Sequence, residues 1–146
     1  CGPESPDPAA LADIVAMSQT EEEWTLFLKD EAPDLTETAA LTLAAYLSLV
    51  VPLEPDAFAS AEAAGDMAAA LPADGKELAI QYCQSCHSFF SGYLMQDRDL
   101  QGWRNVFIPP FHREIDMDET ERELFARYSA INMPLKYDDV PPEWRF

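Results

Sequence analysis

Residues 83–87 read Cys83-Gln84-Ser85-Cys86-His87, and the rest of the chain is best understood outward from this stretch. Two thiols three residues apart lie on one side of a helical turn. There both can form thioethers with the vinyl groups of one porphyrin, and the adjoining imidazole then sits where it can ligate the iron. C-x-x-C-H is therefore the attachment pattern of a c-type haem. One covalent haem c is expected, held by Cys83 and Cys86 and ligated on its proximal side by His87. Two other chemistries use a bare C-x-x-C. A thioredoxin-like redox pair needs a βαβ setting, and no such pattern is visible. A zinc site needs further ligands, yet no second Cys pair follows and the only other histidine is His112.

The segments on either side read as helices. Ahead of the motif, Asp74-Gly75 caps a helix whose Leu78 and Tyr82 face the core. Behind it, Ser88 to Arg98 reads as a loop. Asp99 then caps a helix bearing Trp103, Val106 and Phe107, which Pro109-Pro110 stops. Asp118 to Glu121 is a capping box preceded by the apolar Met117. It opens a helix with Leu124, Phe125, Tyr128 and Ile131 at i, i+1, i+4 and i+7, and Met133-Pro134 ends it.

Nearer the start, Ala9 to Met17 is a short helical pattern with Leu11, Ile14 and Val15 on one face. Thr20 to Glu23 reads as a capping box before Trp24, Phe27 and Leu28, and Pro33 interrupts that helix. Thr36 caps a third helix from Glu37 to about Val51, closed by Pro52. Residues 52–73 are rich in Ala and Pro and read as a linker with a weak helix over 57–70. No segment alternates as a strand does, so the chain is expected to be all-α.

A repeat runs through this order. Thr20 precedes Trp24 by four, as Asp99 precedes Trp103. Leu35 precedes Tyr46 by eleven, as Met117 precedes Tyr128. Pro52-Leu53 follows Tyr46 at the offsets at which Pro134-Leu135 follows Tyr128. The expected division is a tether over 1–8, a haem-less helical half over 9–53, a linker over 54–73 and a haem domain over 74–146.

Composition narrows the partners. The 146 residues are 48% hydrophobic, enough for a core, and carry a formal charge of −18. That charge argues against nucleic acid or an anionic membrane surface as partner. It serves solubility, and it also suits docking of a redox protein with a basic surface. Cys1 followed by Gly2 is the pattern left when a lipoprotein leader is cleaved, with Cys1 as the lipid attachment site and residues 1–8 as an extended tether. The expected setting is outside the cytoplasm, on the periplasmic side of a membrane, anchored through that lipid alone. The most apolar run, 39–51, falls short of the roughly 20 residues that span a bilayer.

Gly75, Leu78, Tyr82 and the motif at 83–87 together resemble the haem-attachment helix of class I c-type cytochromes. The run from Gly102-Trp103 through Met117 and Arg122 to Tyr128 is similar to a subgroup that includes haem domains of periplasmic dehydrogenases. The resemblance covers about residues 74–135. It implies a cytochrome c-like helical haem pocket, with Tyr82 and Trp103 beside the haem, and one-electron transfer rather than enzymatic turnover. The subgroup takes a methionine as sixth ligand from the loop before the last helix. Here that loop holds His112 directly after Pro109-Pro110, and His112 is the first choice for the distal ligand. Met133, followed by Pro134, is the alternative. Met95 lies close to His87 in the chain, and Met117 reads as core packing at the helix start. Three functional expectations follow: a membrane-anchored electron carrier, a fixed haem subunit of a larger respiratory or photosynthetic complex, or a haem sensor or peroxidase with an open iron site.

Overall fold

The computed structural model describes residues 8–145, and among them there is no strand. The chain is all-α. Helix α1 runs Pro8–Val15, α2 Glu21–Glu31 and α3 Glu37–Val50. The Thr20 and Thr36 hydroxyls accept from the N–H groups of Glu23 and Ala39, so each helix starts where a side chain satisfies one of its free donors. For Thr20 only this arm of the expected capping box is made.

The Ala- and Pro-rich stretch is more regular than its composition suggests. Helix α4 spans Pro55–Ala64, with Pro55 in its first turn and Gly65 closing it at φ 69°, and a 3₁₀ turn follows over Met67–Ala70. Helix α5, Gly75–Cys83, opens on a complete capping box between Asp74 and Glu77 and ends on the first thiol of the motif. Residues 90–94, expected as loop, form a π-helical turn that buries Tyr93 and Leu94. Phe89, Phe90, Tyr93 and Leu94 recur at i, i+1, i+4 and i+5, and their burial outweighs the helix-weakening Ser91 and Gly92.

Helix α6, Leu100–Arg104, tightens into a 3₁₀ turn over Asn105–Phe107. One turn, α7, spans Pro110–Arg113, and α8 spans Glu119–Asn132 from an Asp118/Glu121 capping box. The tail turns twice more, over Tyr137–Asp139 and Pro142–Trp144, and folds back. Its Val140 is 1% exposed, and its Trp144 ring meets Phe89 edge-on at 5.7 Å.

Two apolar clusters result. One gathers Trp24, Leu28, Ala44 and Val51, with Ile14, Val15 and Leu47 against it. The larger gathers Leu78, Phe89, Tyr93, Trp103, Phe107, Met117, Phe125 and Met133 with their neighbours. Helix α8 joins them: α3, α5 and α6 all pack on it, and α2 packs on α3. The α5–α8 crossing is close. A Cβ on Gly75 would collide with the Tyr128 side chain and the Leu124 carbonyl, so only glycine lets α5 approach there.

The segments that frame the two clusters share geometry. Helices α3 and α8 each have 14 residues. Each ends on a residue with φ near −100° and ψ 149°, Val51 or Met133, followed by a cis peptide bond to Pro52 or Pro134. The Leu53 N–H donates to the Val15 carbonyl, and the Leu135 N–H to the Leu94 carbonyl, both at 2.9 Å. Each tie returns the chain beyond the 14-residue helix to the segment just ahead of the helix that bears its tryptophan. Met117 is buried, as expected for a residue packing ahead of a helix cap, whereas Leu35 at the corresponding place is 39% exposed. No single helix among the described residues is long and apolar enough to cross a membrane.

Candidate functional site

Helix α5 carries the motif on its last turn. Cys83 is its final residue and is partly buried, while Cys86 and His87 lie in the exposed turn that follows. The two thiols are not bonded to each other. Burial, and secondarily the neighbouring Cys86, push the Cys83 thiol up to about 11. At neutral pH it is a protonated thiol. A reactive dithiol pair works the other way, through a lowered pKa that keeps a thiolate ready.

The His87 ring is set by its surroundings. A Cβ on Gly92 would fall on the imidazole at Nδ1 and Cε1, so the π-helical turn brings its backbone against the ring only because residue 92 has no side chain. The Nδ1 of His87 faces the Ser88 carbonyl at 3.5 Å, at the long limit of a hydrogen bond.

The second histidine stands opposite. His112 lies in α7, on the loop between α6 and α8. Its ring centroid is 6.2 Å from that of His87, with the two planes 29° apart. Two metal–imidazole bonds of about 2 Å, with each nitrogen about 1 Å from its ring centre, give a centroid separation of about 6 Å. The tautomer fits as well. His112 Nδ1 is 2.8 Å from the Val106 carbonyl, which can only accept, so Nδ1 carries a proton and Nε2 is the nitrogen left for a metal. Metal-bound histidines are commonly oriented in this way by their second nitrogen. The two rings are stacked at a centroid spacing like that of two imidazoles on one metal, and Cys83 and Cys86 directly precede His87 in the chain, where a covalently held haem would need its thiols. Among the described residues no three His, Cys, Asp or Glu side chains gather at one point, whereas a haem asks only for axial ligands.

The other expected site residues divide. Met133 is buried with Ala79, Phe89, Tyr93 and Trp144 along an apolar cavity of about 270 Å³ that His87 does not line. It has the backbone conformation of Val51, its counterpart in the first half. Met95 packs partly buried against the larger cluster. Tyr82 is partly buried against the same cluster. Trp103 is 2% exposed, edge-on to Tyr93 and Phe125, and its indole N–H has no partner. Such an N–H suits a carboxylate like a haem propionate, yet Trp24 in the other half has an equally unpartnered indole. Cys1 lies outside the described residues.

Three features of the site were not read from sequence. Gly92 seats His87, Arg122 braces the loop after His112, and Trp144 from the tail lines a surface hollow with His87. The spacing of Phe89, Phe90, Tyr93 and Leu94 was the available signal for the first. The other two depend on contacts distant in the chain. The chain matches no family model, no curated protein and no solved structure.

Proposed function

We propose that the chain is a monohaem c-type cytochrome that passes single electrons between protein partners outside the cytoplasm, with His87 and His112 as its two axial ligands. The observation that carries this reading is the facing pair of imidazoles, 6.2 Å between centroids, one belonging to C-x-x-C-H and the other with Nδ1–H committed to the Val106 carbonyl. A haem bound there supplies an Fe(III)/Fe(II) couple. The chain supplies the rest. Cys83 and Cys86 would hold the haem covalently, and His87 and His112 would ligate its iron. Occupied axial positions disfavour ligand binding at the metal and favour electron transfer. The Val106 carbonyl accepts from the His112 Nδ1–H and holds the ring's orientation.

The first half, on this reading, is a haem-less relative of the second. Support comes from the paired tryptophans, the matched 14-residue helices and the two backbone ties. The charge of −18 favours a partner with a basic docking face.

The test is expression with the haem-attachment machinery, followed by spectra of both redox states. The expected result is covalent haem in the wild type and none in a Cys83→Ala/Cys86→Ala variant, read by haem staining after denaturing electrophoresis. The oxidised protein should be low-spin and lack the far-red band of methionine ligation. Zinc without haem in the wild type would overturn the proposal. A high-spin protein that binds carbon monoxide rapidly would replace electron transfer with an open iron site.

A further inference from the structure

The loop that presents His112 is three residues longer than its counterpart in the first half: 108–117 stand between Phe107 and Asp118, where 29–35 stand between Leu28 and Thr36. Exposed Pro109, Pro110 and Phe111 precede His112, and Phe111 is 90% exposed. The loop has little apolar packing of its own around the histidine. Beyond the Val106 carbonyl on His112 and the Arg113 Nη2 bond to the Ile108 carbonyl, only Ile115 and Met117 anchor it to the core, and one further group ties its later carbonyls together.

Arg122 does so from the first turn of α8. Its Nε donates to the Met117 carbonyl at 3.0 Å, and its Nη2 donates to the Arg113 and Ile115 carbonyls at 3.0 and 3.1 Å. Its guanidinium also lies 4.9 Å over the Phe107 ring. Three carbonyls after His112 and the aromatic before the loop are thus gathered on one planar group, which a lysine ammonium does not reproduce. At the corresponding place in the first half, where the loop is shorter and carries no histidine, α3 has Ala40. The added residues and the added arginine occur together.

We infer that Arg122 is a positioning residue for the distal ligand, fixing the 113–117 backbone so that His112 stays facing His87. This rests on the reading of His112 as a ligand, and the experiment separates the two. In the holoprotein, Arg122→Met removes all three donors while keeping an apolar stem over Phe107. Loss of a residue supporting a metal ligand weakens the ligand's hold about 10–100-fold. Carbon monoxide should therefore bind the reduced variant about tenfold faster or more, with a high-spin fraction in its oxidised spectrum. Arg122→Lys should recover only part of the wild-type behaviour.

Arg145 serves as the control. Its Nε donates to the Val140 carbonyl and its guanidinium covers Tyr137 at 4.3 Å, bracing the tail in a comparable way. Arg145→Met should lower stability without changing the spin state. Amide hydrogen exchange over 113–117 gives a readout independent of the haem spectrum and should accelerate in Arg122→Met alone. Unchanged exchange there, or carbon monoxide binding and spin state equal to those of Arg145→Met, would overturn the inference. His112→Ala tests the reading beneath it: a low-spin spectrum that survives that change removes His112 as ligand, and the positioning role with it.

Discussion

Helices α3 and α8 agree in length, capping and termination, yet the layers packed beneath them differ in one correlated pair. In the first half, Ile14 and Leu47 are both apolar and pack against the cluster that holds Trp24. In the second, the corresponding places hold Tyr93 and Ser129, whose hydroxyls bond at 2.7 Å in the buried core. Burial lifts the Tyr93 phenol above its ordinary range, and the Ser129 bond only partly offsets this. The same scaffold thus accepts either two apolar groups or two polar groups that satisfy each other. A mixture of one and the other leaves a buried hydroxyl alone.

The largest effects that bear on this comparison come from the two tryptophans. Trp24→Ala and Trp103→Ala should each cost about 3–5 kcal/mol, as large-to-small changes of fully buried aromatics do, measured by denaturant unfolding. The halves part company in a second measurement. Trp103→Ala should also shift the haem absorption spectrum, and Trp24→Ala should leave it in place. A spectral shift of equal size from both variants would mean that the first half contributes directly to the haem environment.

The next effect is sharper in logic though smaller. Tyr93→Phe strands the Ser129 hydroxyl and should cost about 1–3 kcal/mol, as should Ser129→Ala for the phenol. The double variant should lose less than the sum of the two, because both places are then apolar, as Ile14 and Leu47 are. Additive losses in this cycle would show that the hydroxyls do not support each other.

The smallest is a pH effect shared by both halves. Tyr46 donates its hydroxyl proton to the Pro72 carbonyl, and burial, then Asp74 and Glu77, raise its pKa from 10.0 to about 12. Tyr128 is raised too, by burial and by Asp74. A phenol raised on folding contributes its full stability below pH about 10, and this is lost as pH rises through 12. Tyr46→Phe should therefore flatten the alkaline fall in stability. An unchanged alkaline profile would place the titration elsewhere.

Much of this architecture was legible in the sequence, because its signals are local. Thr20, Thr36, Asp74, Asp99 and Asp118 stand at helix starts where their side chains cap, and Pro33, Pro52 and Pro134 mark helix ends. The helix expected over 57–70 is present in two pieces and more regular than expected, while the loop expected over 88–98 was overruled by packing. Pro55 and the alanines after it form a regular helix with glycine closure, and the Phe89–Leu94 run folds into a buried turn although Ser91 and Gly92 weaken it. The facing of His87 by His112 was anticipated only as a choice between ligands, since residues 25 positions apart are brought together by the α5–α8 crossing. Arg122 was invisible for the same reason: its acceptors are backbone carbonyls, and no side-chain pattern announces them.

The seat of α5 has a mechanical side. The helix begins at Asp74 and Gly75 in a narrow crevice walled by Thr42 and Tyr46 of α3 and by Leu124 and Tyr128 of α8. At 1.5 Å per residue, its nine residues make a rod about 13 Å long. Its fulcrum lies between the two halves, and its free end leads to Cys86 and His87. A tilt of about 5° at the crevice moves that end by about 1 Å, half the length of a metal–imidazole bond. The half that lacks the cysteine motif thus helps seat the start of the helix whose end carries Cys83. Substitutions at Thr42 or Tyr46, remote from His87, are therefore expected to reach it through that helix.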